Sequence, residues 1–484
     1  MKFNFLKTVF IAATPIISFT NCNSGGFVKT NPNFQKEAAN PEFLHRSLET
    51  LTHTIKHDIF PPMIAARIYA YANIAAYEAL NPQTPQYVSL AGQLNGLPEL
   101  PKPELGKEYC FPLSSVKAFL KVGKKMTFSE DTIEAFSKQI LTDFKQLGIP
   151  KDVYDRSVAF GDTVGASIIK WSAKDNYAQT RTMPKYTVTP QNPSRWRPTA
   201  PDYADALEPH WNKIRPFTLD SASQFKPVRP PVFDTVPSSK FYKDAFEVCK
   251  SVSDSTPERI ATAWYWDDNP AATNNIGHVN FVRKKVTPGG HWLHITTYLA
   301  RQKQLDIYQT SEAYVRVAIS LFDGFISCWD EKYRSEVIRP ESYISKYIIK
   351  RNQRDWSPII NTPPFPEYTS GHSVVSGASS TILTALFGDN VAFTDSTEVQ
   401  FGLPPRSFKS FKEAADQAAI SRFYAGIHYK PAIEVGLKQG ESVGDFILKK
   451  LKTHKWFSGG WKQDLNVALG QIFRTFKTKS AVLS

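Results

Sequence analysis

Three short segments in the second half of the chain gather the side chains that could hold and turn over an anion. Lys332-Tyr-Arg-Ser-Glu-Val-Ile-Arg339-Pro340 sets an ammonium and a guanidinium seven residues apart. On a continuous helix that spacing puts both on nearly one face, two turns from each other. Pro340 disfavours helix at the residue before it, so Arg339 is expected at a helix end, aimed outward. Pro363-Pro-Phe365-Pro-Glu-Tyr-Thr-Ser370-Gly371-His372 leads into the apolar run Val374–Phe387. A helix starting there offers free N–H groups and the positive end of its dipole, which suits an oxyanion. Ser421-Arg422-Phe-Tyr-Ala-Gly-Ile-His428 adds a planar, permanently charged fork and an imidazole able to act as nucleophile or ligand.

Taken singly, each segment has a plainer explanation: a solvated basic face, an N-cap serine beside an incidental histidine, and a core histidine. Taken in order, Lys-x6-Arg-Pro, Ser-Gly-His and Ser-Arg-x5-His resemble one superfamily. It comprises the type 2 phosphatidic acid phosphatases, the class A acid phosphatases and the vanadium-dependent haloperoxidases. The resemblance implies a site for a tetrahedral oxyanion, vanadate or phosphate. Lys332, Arg339 and Arg422 would neutralise its equatorial oxygens, and Ser370 with the Gly371 N–H would complete the cradle. His428 would be the apical partner, a vanadium ligand in one branch and a phosphorylated nucleophile in the other. His372 would be the acid–base group on the opposite face.

Further stretches resemble the haloperoxidase branch: Ala72–Leu80, Pro209–Phe217, Trp264–Asp268 and Thr287–Trp292. Trp329, three residues before Lys332, and Phe365, seven before His372, match the aromatics that wall the halide side in chloride-oxidising relatives. Asp267 stands where the resemblance implies a carboxylate that holds the acid–base histidine. Vanadate is therefore the implied cofactor, with hydrogen peroxide and bromide or chloride as the small partners. Two residues depart from the family pattern. Thr369 replaces the usual proline before Ser-Gly-His, and Ala432 replaces the aspartate usually found four residues after the last histidine. Losing that carboxylate would weaken an attacking His428 more than a coordinating one. A phosphomonoesterase or lipid phosphatase at the same groups stays open. So does an anion-binding lipoprotein that has lost catalysis, with Ala432 as its support.

The elements that must position these groups read as helices. Ala65–Leu80 carries small and aromatic residues at helical spacing and stops at Asn81-Pro82. Helical periodicity returns over 127–147, 153–174, 238–266, 303–332, 370–388, 411–424 and 433–451. Alternation of period two is nearly absent, so an all-α fold is expected. The resemblance makes it two helical bundles side by side. Residues 46–183 form an N-terminal helical region and 241–484 a helical catalytic region. Between them, 184–240 is proline-rich, and its Trp196, Trp211 and Phe217 suggest a packed belt more than a linker.

The remaining signals concern location. Met1–Lys7 carries two lysines, Thr8–Thr20 is mostly apolar, and Cys22 follows. Residues 1–21 thus resemble a bacterial lipoprotein signal, with Cys22 lipidated and 22–45 a polar tether. That predicts an exported, membrane-tethered protein. Cys110, Cys249 and Cys328 are too few for a disulfide framework. The net charge of +13 attracts anions, but the basic residues are scattered rather than striped, which argues against nucleic acid. His278, His291 and His294 fit no common zinc spacing and read as packing or surface residues.

Overall fold

The computed structural model describes residues 29–82, 84–270, 272–276, 279–349 and 356–454, with side chains 271–283 left aside. The expected signal segment and Cys22 lie outside the described residues.

The first helices are α1 (Phe34–Ala38), α2 (Glu42–His57), α3 (Pro62–Leu80), α4 (Phe111–Met126), α5 (Glu130–Gln146), α6 (Lys151–Ser172) and α7 (Tyr177–Thr180). Helix α3 is apolar on every side, and each residue from Met63 to Leu80 is buried. A helix of that composition belongs at the centre of a bundle, and α4, α6 and α11 (Ile307–Ser335) pack around it. The expected tether over 22–45 is corrected by α1 and the start of α2. Phe34, Ala38, Phe43 and Leu44 are buried in the core, so the chain is already packed there.

The second half begins with α8 (Lys240–Ser253), α9 (Pro257–Tyr265), a hairpin of β1 (Ala272–Ile276) and β2 (Val279–Arg283), and α10 (Pro288–Gln302). After α11 come α12 (Pro340–Tyr347), α13 (Gly371–Phe387), a short antiparallel pair β3 (Phe393–Asp395) and β4 (Arg406–Phe408), α14 (Phe411–Tyr424) and α15 (Lys430–Lys450). Helix α13 packs on α15, α14 and α11. Glycines let α13 and α15 touch backbone to backbone: a Cβ on Gly440 would lie 2.0 Å from Val374 O, and one on Gly377 2.5 Å from Leu437 O. Helix α11 is the wall shared by the two bundles, and one apolar core runs through both.

Between α7 and α8 the chain makes only a single 3-10 turn, at Trp211–Lys213, yet Trp196, Trp211 and Phe217 are buried. This segment is tied to the second bundle. The Trp196 N–H donates to Glu336 O (2.7 Å) and the Leu207 N–H to Pro364 O (2.9 Å). The Phe217 and Thr218 N–H groups donate to the buried Asp323 of α11. Cys110, Cys249 and Cys328 are buried free thiols. Among the described residues no helix is long and apolar enough to cross a membrane.

Candidate active site

Helix α11 carries Trp329 and Lys332 in its last two turns and ends at Ser335, where Glu336 turns the backbone into the left-handed region (φ 48°). Lys332 and Arg339 therefore do not share a helical face, as their spacing predicts. Arg339 is the N-cap of α12, in extended conformation, and the break swings its side chain back over the loop before α13. That loop delivers Phe365 and Glu367, and Ser370 caps α13, accepting from the Ser373 N–H. Thr369, in the place of the family proline, is anchored by donating to Gln439 Oε1 of α15 (2.6 Å). Arg422 comes from the last turn of α14. A turn at Gly426 (φ 82°) then brings His428 in just before α15; a Cβ on Gly426 would meet Val252 at 2.7 Å.

These elements bring the expected residues together. A cavity of about 380 Å³ is lined by His372, His428, Arg422, Gly371, Trp329 and Phe365. Arg339 reaches it through His428: its Nη1 donates to His428 Nε2 (3.0 Å) and Ile427 O (2.9 Å), and its Nε to Phe365 O (2.9 Å). Lys332 Nζ donates to Pro366 O (2.9 Å) and Glu367 O (3.1 Å), 5.0 Å from the centre of the Phe365 ring. Arg422 Nη1 donates to Trp266 O (2.6 Å).

All three cations are fully buried, which is costly without a counter-charge. Burial pushes the Lys332 ammonium down to about 7 and Arg339 down to about 10, and it lowers Arg422 as well. Arg339 Nη2 and Arg422 Nε are buried without a hydrogen-bond partner. Buried, unsatisfied guanidinium groups beside a cavity are donors prepared for an oxyanion. The N–H groups of the first turn of α13 add donors of the same kind.

The two imidazoles are held differently. His428 Nδ1 lies 2.8 Å from Glu367 Oε1, which also accepts from the Tyr429 N–H (3.0 Å). Burial, then Arg339, Lys332 and Arg422, hold His428 well below the ordinary imidazole value. The missing aspartate at Ala432 therefore does not leave this ring without a carboxylate. The Ala432 argument against a nucleophilic His428 falls away, and so does the support for a chain that has lost catalysis.

His372 keeps 17% of its side chain exposed, toward the cavity, with its Nε2 3.7 Å from Asp268 Oδ2. Burial and then Arg422 push it down to about 4, with Asp268 opposing. Asp268, and not Asp267, thus faces the acid–base histidine. Asp267 lines the cavity, and its charge acts on Arg422. Behind Asp268 lies His291, fully buried, with Nδ1 2.9 Å from Asp268 Oδ1 and Nε2 2.7 Å from Asp395 Oδ2. Burial opposes its charge, but the two carboxylates outweigh it and hold His291 well above the usual imidazole range. His291 is thus no simple packing residue. His278 lies outside the described residues.

Asp268, His291 and Glu398 offer ligand atoms within 4.8 Å of one another. Both ring nitrogens of His291 face carboxylates, and Lys285 Nζ sits 2.7 Å from Glu398, so this cluster is an ion-pair network of three carboxylates and two cations. Sequence reading missed Glu367, Asp268, His291 and Asp395 as site residues. Glu367 carried a local signal, a carboxylate five residues before His372 in the same loop, and Asp268 and His291 lie in two of the stretches that resemble the haloperoxidase branch.

Comparison with known proteins accounts for this arrangement. Residues 312–455 match the model of the VCPO second helical-bundle domain. Vanadium-dependent bromoperoxidases of Corallina pilulifera and Corallina officinalis are each 36% identical over 99 residues, which is 18% of this chain and 17% of theirs. The chain thus matches about a sixth of the length of these curated relatives. A bacterial vanadium-dependent chloroperoxidase in its holo form shares the fold, with TM-score 0.63 at 16% identity over 87% of this chain and 97% of that one. A bacterial vanadium-dependent iodoperoxidase superposes with TM-score 0.81 at 48% identity, over 86% of this chain and 97% of that one. With nearly half its residues identical across almost the whole of that structure, this protein belongs to the vanadium-dependent haloperoxidase family.

Proposed function

We propose that the protein is a vanadate-dependent haloperoxidase that uses hydrogen peroxide to oxidise iodide and bromide. The observation that carries this reading is a pair of buried guanidinium groups with unsatisfied donors: Arg422 on the wall of the cavity lined by His372 and His428, and Arg339 at hydrogen-bond distance from His428. The donor set fits vanadate: three cations for its oxygens, the α13 N-terminus, and a histidine nitrogen for the metal. When bound, vanadate supplies a Lewis-acidic centre that makes peroxide electrophilic toward halide. Lys332, Arg339 and Arg422 hold the oxyanion and offset its charge. His428 Nε2 accepts from Arg339 in this structure, and it would give that lone pair to vanadate in place of the guanidinium hydrogen bond. His372, neutral near pH 7 in the free site, takes the peroxide proton at a ring nitrogen. Trp329 and Phe365, with ring centres 4.9 Å apart, wall the side from which halide arrives. Phosphate competes for the same donors.

Export follows from residues 1–22 as part of the same proposal: a lipoprotein tethered through Cys22, facing the periplasm or the cell exterior.

Phosphate-free protein given orthovanadate tests the reading, with iodide, bromide and chloride assayed in turn for peroxide-dependent halogenation of an activated β-diketone. We expect turnover with iodide and bromide that requires vanadate and is suppressed by excess phosphate. Hydrolysis of an aryl phosphate before vanadate is added, with no halogenation afterwards, would replace it with the phosphatase.

A further inference from the structure

We propose that Glu367 is the positioning residue of His428, taking over from the loop side the role that the family gives to an aspartate at the position of Ala432. The inference rests on the oxyanion reading of the site and concerns how this chain holds the histidine that would meet the vanadium.

The tautomer of His428 follows from its two partners. A guanidinium has donors and no acceptor, so Arg339 Nη1, 3.0 Å away, requires Nε2 to be the unprotonated nitrogen. The ring proton then sits on Nδ1 and is donated to Glu367 Oε1 at 2.8 Å. The same oxygen accepts the Tyr429 N–H, so both groups on it are donors. Glu367 is itself pinned on both sides of its backbone. Its N–H donates to Val337 O (3.0 Å), and its carbonyl accepts from Lys332 Nζ. The side chain therefore has one place to go, and that place fixes the ring with its lone pair toward Arg339.

Ala432 explains why the carboxylate can come from the loop. It is fully buried and shares with Glu367, Tyr429 and Tyr368 a space of only about 10 Å³. Glu367 and Asp244 already line this pocket, and an aspartate at 432 would crowd a further negative charge beside them without room for water between. Glu367 beside Ala432 satisfies that limit by supplying the acid from the loop instead of from α15. A histidine ligand that donates its second nitrogen to a carboxylate gains basicity and a fixed orientation, and removing such a partner costs about 10–100-fold in metal affinity.

The test compares full-length wild type with Glu367→Gln, Glu367→Ala and the double variant Glu367→Ala/Ala432→Asp. Two quantities are measured: the orthovanadate dissociation constant by equilibrium dialysis, and the His428 Nδ1–H resonance in vanadate-free protein. We expect Glu367→Ala to lose that resonance and weaken vanadate binding about 10–100-fold, with Glu367→Gln in between. We expect Ala432→Asp to restore both in the double variant. A merely space-filling Glu367 would give no such rescue. Affinity within about twofold of wild type in both single variants, with the resonance kept, overturns the proposal. Glu367→Gln preserves the side-chain shape and decides the matter should Glu367→Ala not fold. If wild type takes up no vanadate, the oxyanion reading fails, and the Nδ1–H resonance alone decides whether Glu367 positions the ring.

Discussion

The two walls of the cavity hold their histidines in opposite ways. On the α15 side both nitrogens of His428 are engaged at hydrogen-bond distance, by Glu367 and by Arg339. On the α13 side His372 faces Asp268 across 3.7 Å, too far for a firm hydrogen bond. The slack lies only in that last link. Behind it Asp268, His291 and Asp395 are locked at 2.9 and 2.7 Å in a fully buried chain. Buried, the Asp268 carboxylate would tend to neutralise, but the imidazolium of His291 outweighs that and keeps it ionised well below the usual range. The contrast matches two kinds of work. A ligand needs a single tautomer with its lone pair always presented, whereas an acid–base group needs both protonation states within reach. One wall freezes its ring, and the other gives its ring a fixed negative charge at a distance.

The comparison is broken most severely at the loose ring. His372→Ala should leave vanadate affinity nearly intact while turnover falls about 10²–10⁴-fold, the usual worth of a positioned acid–base group. Loss of vanadate binding in this variant, measured by dialysis, would mean that His372 is part of the cradle. One step back, Asp268→Asn should cut turnover about 10–100-fold, as expected for an outer partner. Asp267→Asn, which acts on Arg422, should change vanadate affinity more than turnover. If steady-state kinetics show the two variants exchanging these effects, the assignment of Asp268 to His372 is wrong.

The smallest effect concerns a fourth buried imidazole, which sharpens the comparison as a control. His45 on α2 has the Tyr314 hydroxyl as its partner (2.5 Å). Burial, then Arg301, holds it down to about 4, with Glu42 opposing. His291, by contrast, stays charged because it has two carboxylates. Since His45 takes a proton in the unfolded chain at about 6.5 but in the folded chain only near 4, its contribution to stability is complete above 6.5. That contribution is lost as pH falls through this window. Urea unfolding at pH 7 and pH 5 should show a loss of stability that is smaller by about 2 kcal/mol in His45→Gln than in wild type, with vanadate affinity unchanged. An equal loss in the variant would place the titrating group elsewhere.

The groups proposed to hold the oxyanion were legible because each sits in a contiguous stretch with its own local constraint. Pro340 set Arg339 at a helix end, and Ser370 announced a cap. The groups behind them were not. Asp268 lies just after α9 and Asp395 ends the short strand β3, far apart in the chain, and nothing local pairs them through His291. Asp267 and Asp268 differ only in which way the backbone turns after α9. That turn is set by the Asp267 N–H donating to Trp264 O, a contact no periodicity encodes. The end of α11 was invisible for a related reason. Tyr333-Arg-Ser-Glu336 contains no breaker, and the left-handed turn at Glu336 is held from outside the helix by the Trp196 N–H on its carbonyl. Most of the bundle helices could be read from helical periodicity, because their stability is apolar burial along a repeating face, but α4 and α10 lie outside the segments so marked.

The segment between α7 and α8 has a consequence for how such a protein can change over time. Thr199, Ala200, Pro201, Asp202, Ala204 and Leu207 form part of the cavity's outer rim, yet they belong to no helix or strand. The cradle is built from α11, α13, α14 and the turns between them. Entrance and chemistry are thus written in different stretches of sequence. Substitutions in the rim can alter what is admitted without repacking a bundle, so one oxyanion site can be inherited intact while its clientele drifts.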